Sequence, residues 1–142
     1  MRLEITRRTD LATRALLVLA DDGGRLKASQ LAERVGASAG FLSQAMTPLV
    51  AEGWVRSEPG PTGGYVLAVD LSDVTVLDVI EAIEGPTDTA QCVLEDRPCA
   101  GGGLCALHHP WSRARSQLLD ELGSTSLSGL SPTGHRRSGR AR

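Results

Sequence analysis

Two short helical patterns joined at one glycine occupy residues 28–53, ASQLAERVGASAGFLSQAMTPLVAEG. The first pattern has apolar residues at helical spacing up to Val35, and Gly36 supplies a stop signal. Ser38 is a natural N-cap for the second pattern, and we expect Pro48 to kink this second helix or to end its first half. The residues expected to be buried on the second helix are Phe41, Leu42, Ala45, Leu49 and Val50. Two helices joined by so tight a turn predict a helix-turn-helix.

The pattern changes to alternation after this helix pair. Residues 54–57 and 65–68 alternate in polarity, and the Pro/Gly-rich residues 59–64 lie between them. Such a pattern predicts two short strands joined by a turn. The expected fold class is therefore mainly α with a small β-hairpin wing, that is, a winged helix-turn-helix.

Three further helices are expected around this unit. The first is predicted from Asp10 to Ala20, another begins after the cap Thr75, and the last runs from His109–Pro110 to about Leu122. The last helix has a stripe of residues whose steps of three and four are typical of a helix that pairs with a partner. The stripe consists of Leu107, Trp111, Ala114, Leu118 and Leu122. We therefore expect a long C-terminal helix that pairs with a partner.

Length and charge limit the possible classes of protein. The chain of 142 residues suits one domain with appendages. It has no apolar run of about 18 residues and no signal peptide, so we expect a cytoplasmic protein without membrane contact. Residues 1–65 carry 8 Lys/Arg against 7 Asp/Glu, whereas residues 66–130 carry 3 against 10. Nucleic acid should therefore dock on the first part, through a few placed cations.

Polar residues on the second helix of the pair are candidates for reading DNA bases. Ser38, Ser43 and Gln44 offer hydrogen-bonding groups near the start of this helix, which enters the major groove in a winged helix-turn-helix. For Ser43, a solvated surface position is the favoured alternative. The candidate DNA contacts of the wing are Arg56, Gly63 and Gly64. Catalysis is not expected, because the sequence offers no nucleophile–base pair or phosphate loop.

The three cysteines point to metal chemistry. Cys92, Cys99 and Cys105 follow a C-x6-C-x5-C spacing on a Gly-rich segment. An odd number without an export signal argues against disulfides, and thiolates prefer zinc or iron–sulfur clusters. Zinc usually takes C-x2-C pairs, so a cluster is favoured over zinc and over three ordinary reduced thiols. A fourth ligand is open between His108, His109 and Asp10, and Asp10 is also a candidate N-cap of the first helix.

Five segments in this order resemble one family. They are MRLEITRRTDLATRALLVLA, the helix 38–53, GPTGGYVLA, DVIEAIEGP and C-x6-C-x5-C-x2-H. The chain resembles the iron–sulfur regulators of the IscR, NsrR and RirA type, the Rrf2 family, over roughly residues 1–130. The resemblance implies a homodimer whose last helices cross, with the cluster loop beside the partner's DNA-binding domain. It also implies cluster ligation by Cys92, Cys99 and Cys105, with His108 matching the IscR pattern and Asp10 matching the NsrR segment.

Two departures from the family pattern matter. Glu58–Pro59 stands where relatives often have a wing arginine, and Arg56 is the candidate substitute. The first cysteine spacing is one residue longer than in the IscR pattern. The cluster type, [2Fe–2S] or [4Fe–4S], is therefore left open.

These observations predict three segments and one function. Residues 1–85 form the winged helix-turn-helix DNA-binding domain, residues 86–130 the cluster-binding loop and dimerisation helix, and residues 131–142 a disordered basic tail. The predicted function is a transcriptional repressor that binds double-stranded operator DNA under the control of a cluster sensing redox state, nitric oxide or iron. The alternatives are a zinc-stabilised regulator and an electron-transfer protein that docks a partner.

Overall fold

The computed structural model describes residues 1–99 and 103–130. Over these ranges the chain forms five α-helices, one antiparallel hairpin and two 3-10 turns, at Leu71–Asp73 and Leu127–Gly129. The helices and strands are α1 (Arg7–Asp22), α2 (Ala28–Val35), α3 (Ala39–Ala51), β1 (Val55–Glu58), β2 (Gly64–Leu67), α4 (Val76–Glu84) and α5 (His108–Ser124). This architecture confirms the expected class, mainly α with a β-hairpin wing. The predicted tail, 131–142, lies outside the described residues.

Helix α1 begins one turn earlier than its apolar pattern predicted. The N-cap is Thr6, whose hydroxyl accepts from the backbone N–H of Thr9 at 3.2 Å. Asp10 lies inside the first turn, so its prediction as an N-cap was wrong. The first turn of α1 has no apolar residue, because it reads Arg7-Arg8-Thr9-Asp10, and periodicity therefore missed it.

The helix-turn-helix of α2 and α3 packs against α1 and encloses the core. Gly36 has a left-handed backbone (φ 71) and ends α2, and Ser38 caps α3, as predicted. Helix α3 continues past Pro48 to Ala51, so the expectation that this proline ends the first half of the helix was wrong. Val50 was also misplaced, since it is 36% exposed, and Met46 is buried instead. The buried residues of α3 are Leu42, Ala45, Met46 and Leu49.

The wing is a hairpin whose shape depends on two glycines. Strands β1 and β2 pair from Val55 with Leu67 to Glu58 with Gly64. Gly64 has φ +147, and a Cβ there would overlap the backbone carbonyl of Leu26. A Cβ on Gly63 would overlap the carbonyl of Glu58. Both glycines are therefore required by backbone crowding, whatever they contact on DNA.

Helices α4 and α5 form the C-terminal half. Thr75 caps α4, as predicted, in a reciprocal capping box with Asp78. Helix α5 packs against α4. All residues of α5 are described, and none of them is buried. After α5 the chain returns to the core, where Leu127 is fully buried and its N–H donates to the carbonyl of Val74 at 2.9 Å. The sequence did not predict this return. No described helix is long and apolar enough to cross a membrane.

Candidate nucleic-acid interface and metal centre

The polar face of α3 is exposed where the sequence predicted base contacts. Ser43 and Gln44 are both exposed, on the side of the helix away from the core. Ser38 is exposed too, and its Oγ accepts from the N–H of Phe41 at 3.2 Å as the N-cap. Because the hydroxyl acts there as an acceptor, its hydrogen is free to donate to a further group. The structure thus brings the three candidates to the first two turns of one helix.

Two cations lie at the wing. One was predicted from the sequence and the other was missed. Arg56 is exposed on β1. Glu58, the acid at the position where a wing arginine is common, pairs with Arg25 at 2.7 Å. Arg25 reaches the wing because neighbouring Leu26 exchanges two backbone hydrogen bonds with Tyr65 of β2, at 3.1 and 2.8 Å. The only sequence signal for this pair was charge complementarity across 33 residues, which periodicity does not detect.

The three cysteines converge in space. Their sulfur atoms all lie within 4.8 Å of one another, and each cysteine is half-buried. A tight loop brings Cys92 and Cys99 together, because the N–H of Cys92 donates to the carbonyl of Arg97 at 2.9 Å and Gln91 bridges to Pro98. The thiols line a cavity of about 270 Å³ that reaches Trp111 at the start of α5.

Two of the thiols differ in acidity. The backbone N–H of Leu94 donates to Sγ of Cys92 at 3.4 Å, and this bond lowers the pKa of the Cys92 thiol. Burial raises the pKa of the Cys105 thiol. Cys92 therefore becomes a thiolate at lower pH than Cys105. Since the thiolate is the form that binds metal, Cys92 is better prepared for ligation than Cys105.

The three candidate fourth ligands lie in different places. His108 begins α5 and lines the thiol cavity. Asp10 lies on α1, where its carboxylate pairs with Arg14 at 3.1 Å. Among the described residues, the group of metal-ligating atoms within 4.8 Å of one another consists of the three cysteine sulfurs and includes neither His108 nor Asp10. His109 is exposed, with its ring edge-on to that of His108 at 5.4 Å between centroids.

A helix-turn-helix followed by a wing defines a winged-helix DNA-binding protein, and comparison with known proteins identifies the family. Residues 5–132 match the family model Rrf2, described as an iron-dependent transcriptional regulator. IscR of Photorhabdus laumondii, an HTH-type transcriptional regulator, is 32% identical over 130 residues, covering 90% of this chain and 79% of that protein. IscR of Escherichia coli O1:K1 is 31% identical, with 90% and 80% covered.

Solved structures agree with this relationship. CymR, the global cysteine regulator of B. subtilis, matches with a TM-score of 0.75 and 27% identity, over 94% of this chain and all of that one. IscR of T. potens matches with a TM-score of 0.68 and 25% identity, over 89% and 84%. The chain belongs to the Rrf2 family of DNA-binding transcriptional regulators, as the sequence resemblance predicted.

Proposed function

We propose that this regulator is a repressor whose affinity for double-stranded operator DNA is set by an iron–sulfur cluster on Cys92, Cys99 and Cys105. The observation that carries the proposal is the convergence of the three sulfur atoms within 4.8 Å beside a cavity of about 270 Å³. Three half-buried thiols on one loop fit a soft-metal group. When bound, the cluster supplies an oxidation-sensitive group.

His108 is the fourth ligand that we favour. It lines the same cavity as the thiols, and the loop that presents Cys105 continues directly into the helix that begins with His108. The carboxylate of Asp10 already has the guanidinium of Arg14 as its partner within the chain. Binding of a cluster by Asp10 would compete with this ion pair for the carboxylate charge.

Helix α3 is the part that we assign to the major groove. Gln44 is exposed and long enough to pair with an adenine edge through two hydrogen bonds. Ser38 donates its hydroxyl hydrogen to a base or phosphate, while Ser43, in the second turn of α3, is a weaker candidate. Arg56 and the tight Gly63–Gly64 turn bring the wing against the backbone of the DNA.

A homodimer built through α5 would join two such units. Leu107, which precedes α5, and Leu118, on α5, are exposed, and none of the described residues of α5 is buried within the single chain. We propose residues 1–85 as the DNA-binding domain and residues 86–130 as the cluster-binding and dimerisation segment. Because the thiol cavity lies at the start of α5, cluster binding and subunit pairing are linked. A group bound more tightly by one arrangement of the dimer shifts the population toward it.

Anaerobic purification with iron, sulfide and zinc counts tests the assignment of the cluster. We expect a coloured protein that contains iron and sulfide, and Cys92→Ala, Cys99→Ala and Cys105→Ala should each lose the visible absorption. Ser112→Ala is the matched control, since Ser112 lines the same cavity without being a metal ligand candidate. A colourless wild-type protein with stoichiometric zinc would contradict the proposal.

A further inference from the structure

The end of helix α2 is held by an arginine from another helix. Val35 is the last residue of α2, so its carbonyl has no partner within the helix. Nη1 of Arg14, on α1, donates to this carbonyl oxygen at 2.6 Å. A cation also complements the negative end of the dipole of α2. Arg14 thus caps α2 from outside, directly before the turn of the helix-turn-helix.

Asp10 orients the same guanidinium. Nε and Nη2 of Arg14 both lie 3.1 Å from Oδ2 of Asp10, one turn earlier on α1. The Arg14 side chain is 35% exposed and borders an open polar cleft of about 420 Å³ that also reaches Ser38. At the edge of this open cleft, the carboxylate of Asp10 and the carbonyl of Val35 hold the guanidinium by hydrogen bonds.

The turn that Arg14 holds leads directly to α3. Only Gly36, Ala37 and the cap Ser38 separate the end of α2 from the start of α3. The N–H of Gly36 bonds to the carbonyls of α2, and the N–H of Ala37 donates to the carbonyl of Ala32 at 3.0 Å. Because this connection is only three residues long, a shift of the Val35 carbonyl would also move the N-terminus of α3.

We propose that Arg14, oriented by Asp10, is a positioning residue for DNA recognition, fixing the helix-turn-helix turn and with it the angle of α3. The inference rests on the proposed base-reading role of α3. It assigns Asp10 a role that needs no cluster. Preorganisation of this kind favours the correct sequence more than random DNA, because only base-edge contacts depend on the exact placement of α3.

Arg8 offers a matched control. It lies on the same helix, and its Nη2 donates to the carbonyl of Ile83 at 2.8 Å, near the end of α4. Arg8→Lys and Arg14→Lys therefore keep the charge and replace a guanidinium that donates to a carbonyl near the end of a different helix in each case. Lysine lacks the planar fork that contacts a carboxylate and a carbonyl together.

The test uses the full-length, anaerobically purified chain. Fluorescence anisotropy measures its affinity for a duplex selected by the wild-type protein from a random pool and for a scrambled duplex. We expect Arg14→Lys to lower the ratio of the two affinities by about tenfold. Asp10→Ala should lower the ratio in the same direction by a smaller factor and leave the visible spectrum unchanged, while Arg8→Lys should keep the wild-type ratio.

Hydrogen exchange of residues 35–42 provides the second measurement, independent of DNA binding. Faster exchange in Arg14→Lys and Asp10→Ala, but not in Arg8→Lys, supports the positioning role. If the wild-type chain selects no duplex, that failure counts against the proposed function, and the exchange result still tests the positioning role. Equal effects of Arg14→Lys and Arg8→Lys overturn the inference. Loss of affinity for both duplexes in the same proportion, with unchanged exchange, also overturns it, because that result describes a phosphate contact.

Discussion

Replacing Leu118 by glutamate should separate the proposed dimer. Leu118 is 42% exposed in the single chain, and its helix α5 has no buried side chain among its described residues. Burying an entire leucine contributes about 1.5–3 kcal/mol, so burying the exposed fraction contributes roughly 1 kcal/mol. A two-fold symmetric interface contains the residue twice, which gives about 2 kcal/mol. Glutamate loses this contribution and adds the larger cost of an unpaired buried charge.

Sedimentation velocity over a range of concentrations provides the assay. The wild-type chain should sediment as a dimer, and Leu118→Glu as a monomer at the same concentration. Gln117→Glu is the matched control, because it adds the same charge at the neighbouring exposed position of α5, outside the predicted stripe. The reasoning is refuted if Leu118→Glu sediments as a dimer with the wild-type concentration dependence.

Three further substitutions test the wing, the core and the recognition helix. Gly64→Ala should lower stability by about 1–3 kcal/mol in thermal denaturation because of backbone strain and overlap. Gly60→Ala shares the positive φ, at +95, but has no atom within 4 Å of the new Cβ and should cost less. Leu127→Ala should lower the free energy of unfolding by about 2–5 kcal/mol, because it leaves a cavity in the core. An equal loss for the exposed Leu130→Ala would disprove the anchoring role of Leu127. Gln44→Ala should reduce discrimination between operator and random DNA by about 1–3 kcal/mol, and equal losses on both would remove its base-reading role.

Local signals in the sequence were sufficient for the helix-turn-helix and the wing. Gly36 and Ser38 act on their immediate neighbours, and their roles as helix stop and N-cap were predicted correctly. The start of α1 was missed because its first turn is polar. The first apolar residue after Thr6 is Leu11, so the apolar pattern does not mark the beginning of the helix. Val50 was misplaced because it lies one position past the edge of the buried stripe, a difference that spacing alone does not resolve.

Contacts between distant segments could not be predicted from the sequence. Arg14 lies 21 residues from the Val35 carbonyl, and Leu127 returns to a core formed by much earlier residues. No periodicity or local motif encodes such partners. The cysteine spacing predicted a shared site but gave no distances, since these depend on loop contacts such as the hydrogen bond between Cys92 and Arg97.

The most direct measurement compares one protein preparation on one duplex before and after removal of its cluster. Fluorescence anisotropy under anaerobic conditions, at a fixed salt concentration, would give both dissociation constants. If the cluster sets operator affinity, its removal from the wild-type chain should change the affinity for the selected duplex and leave that for a scrambled duplex nearly unchanged. Equal affinities of the cluster-bound and cluster-free protein for the selected duplex would contradict cluster control of this regulator.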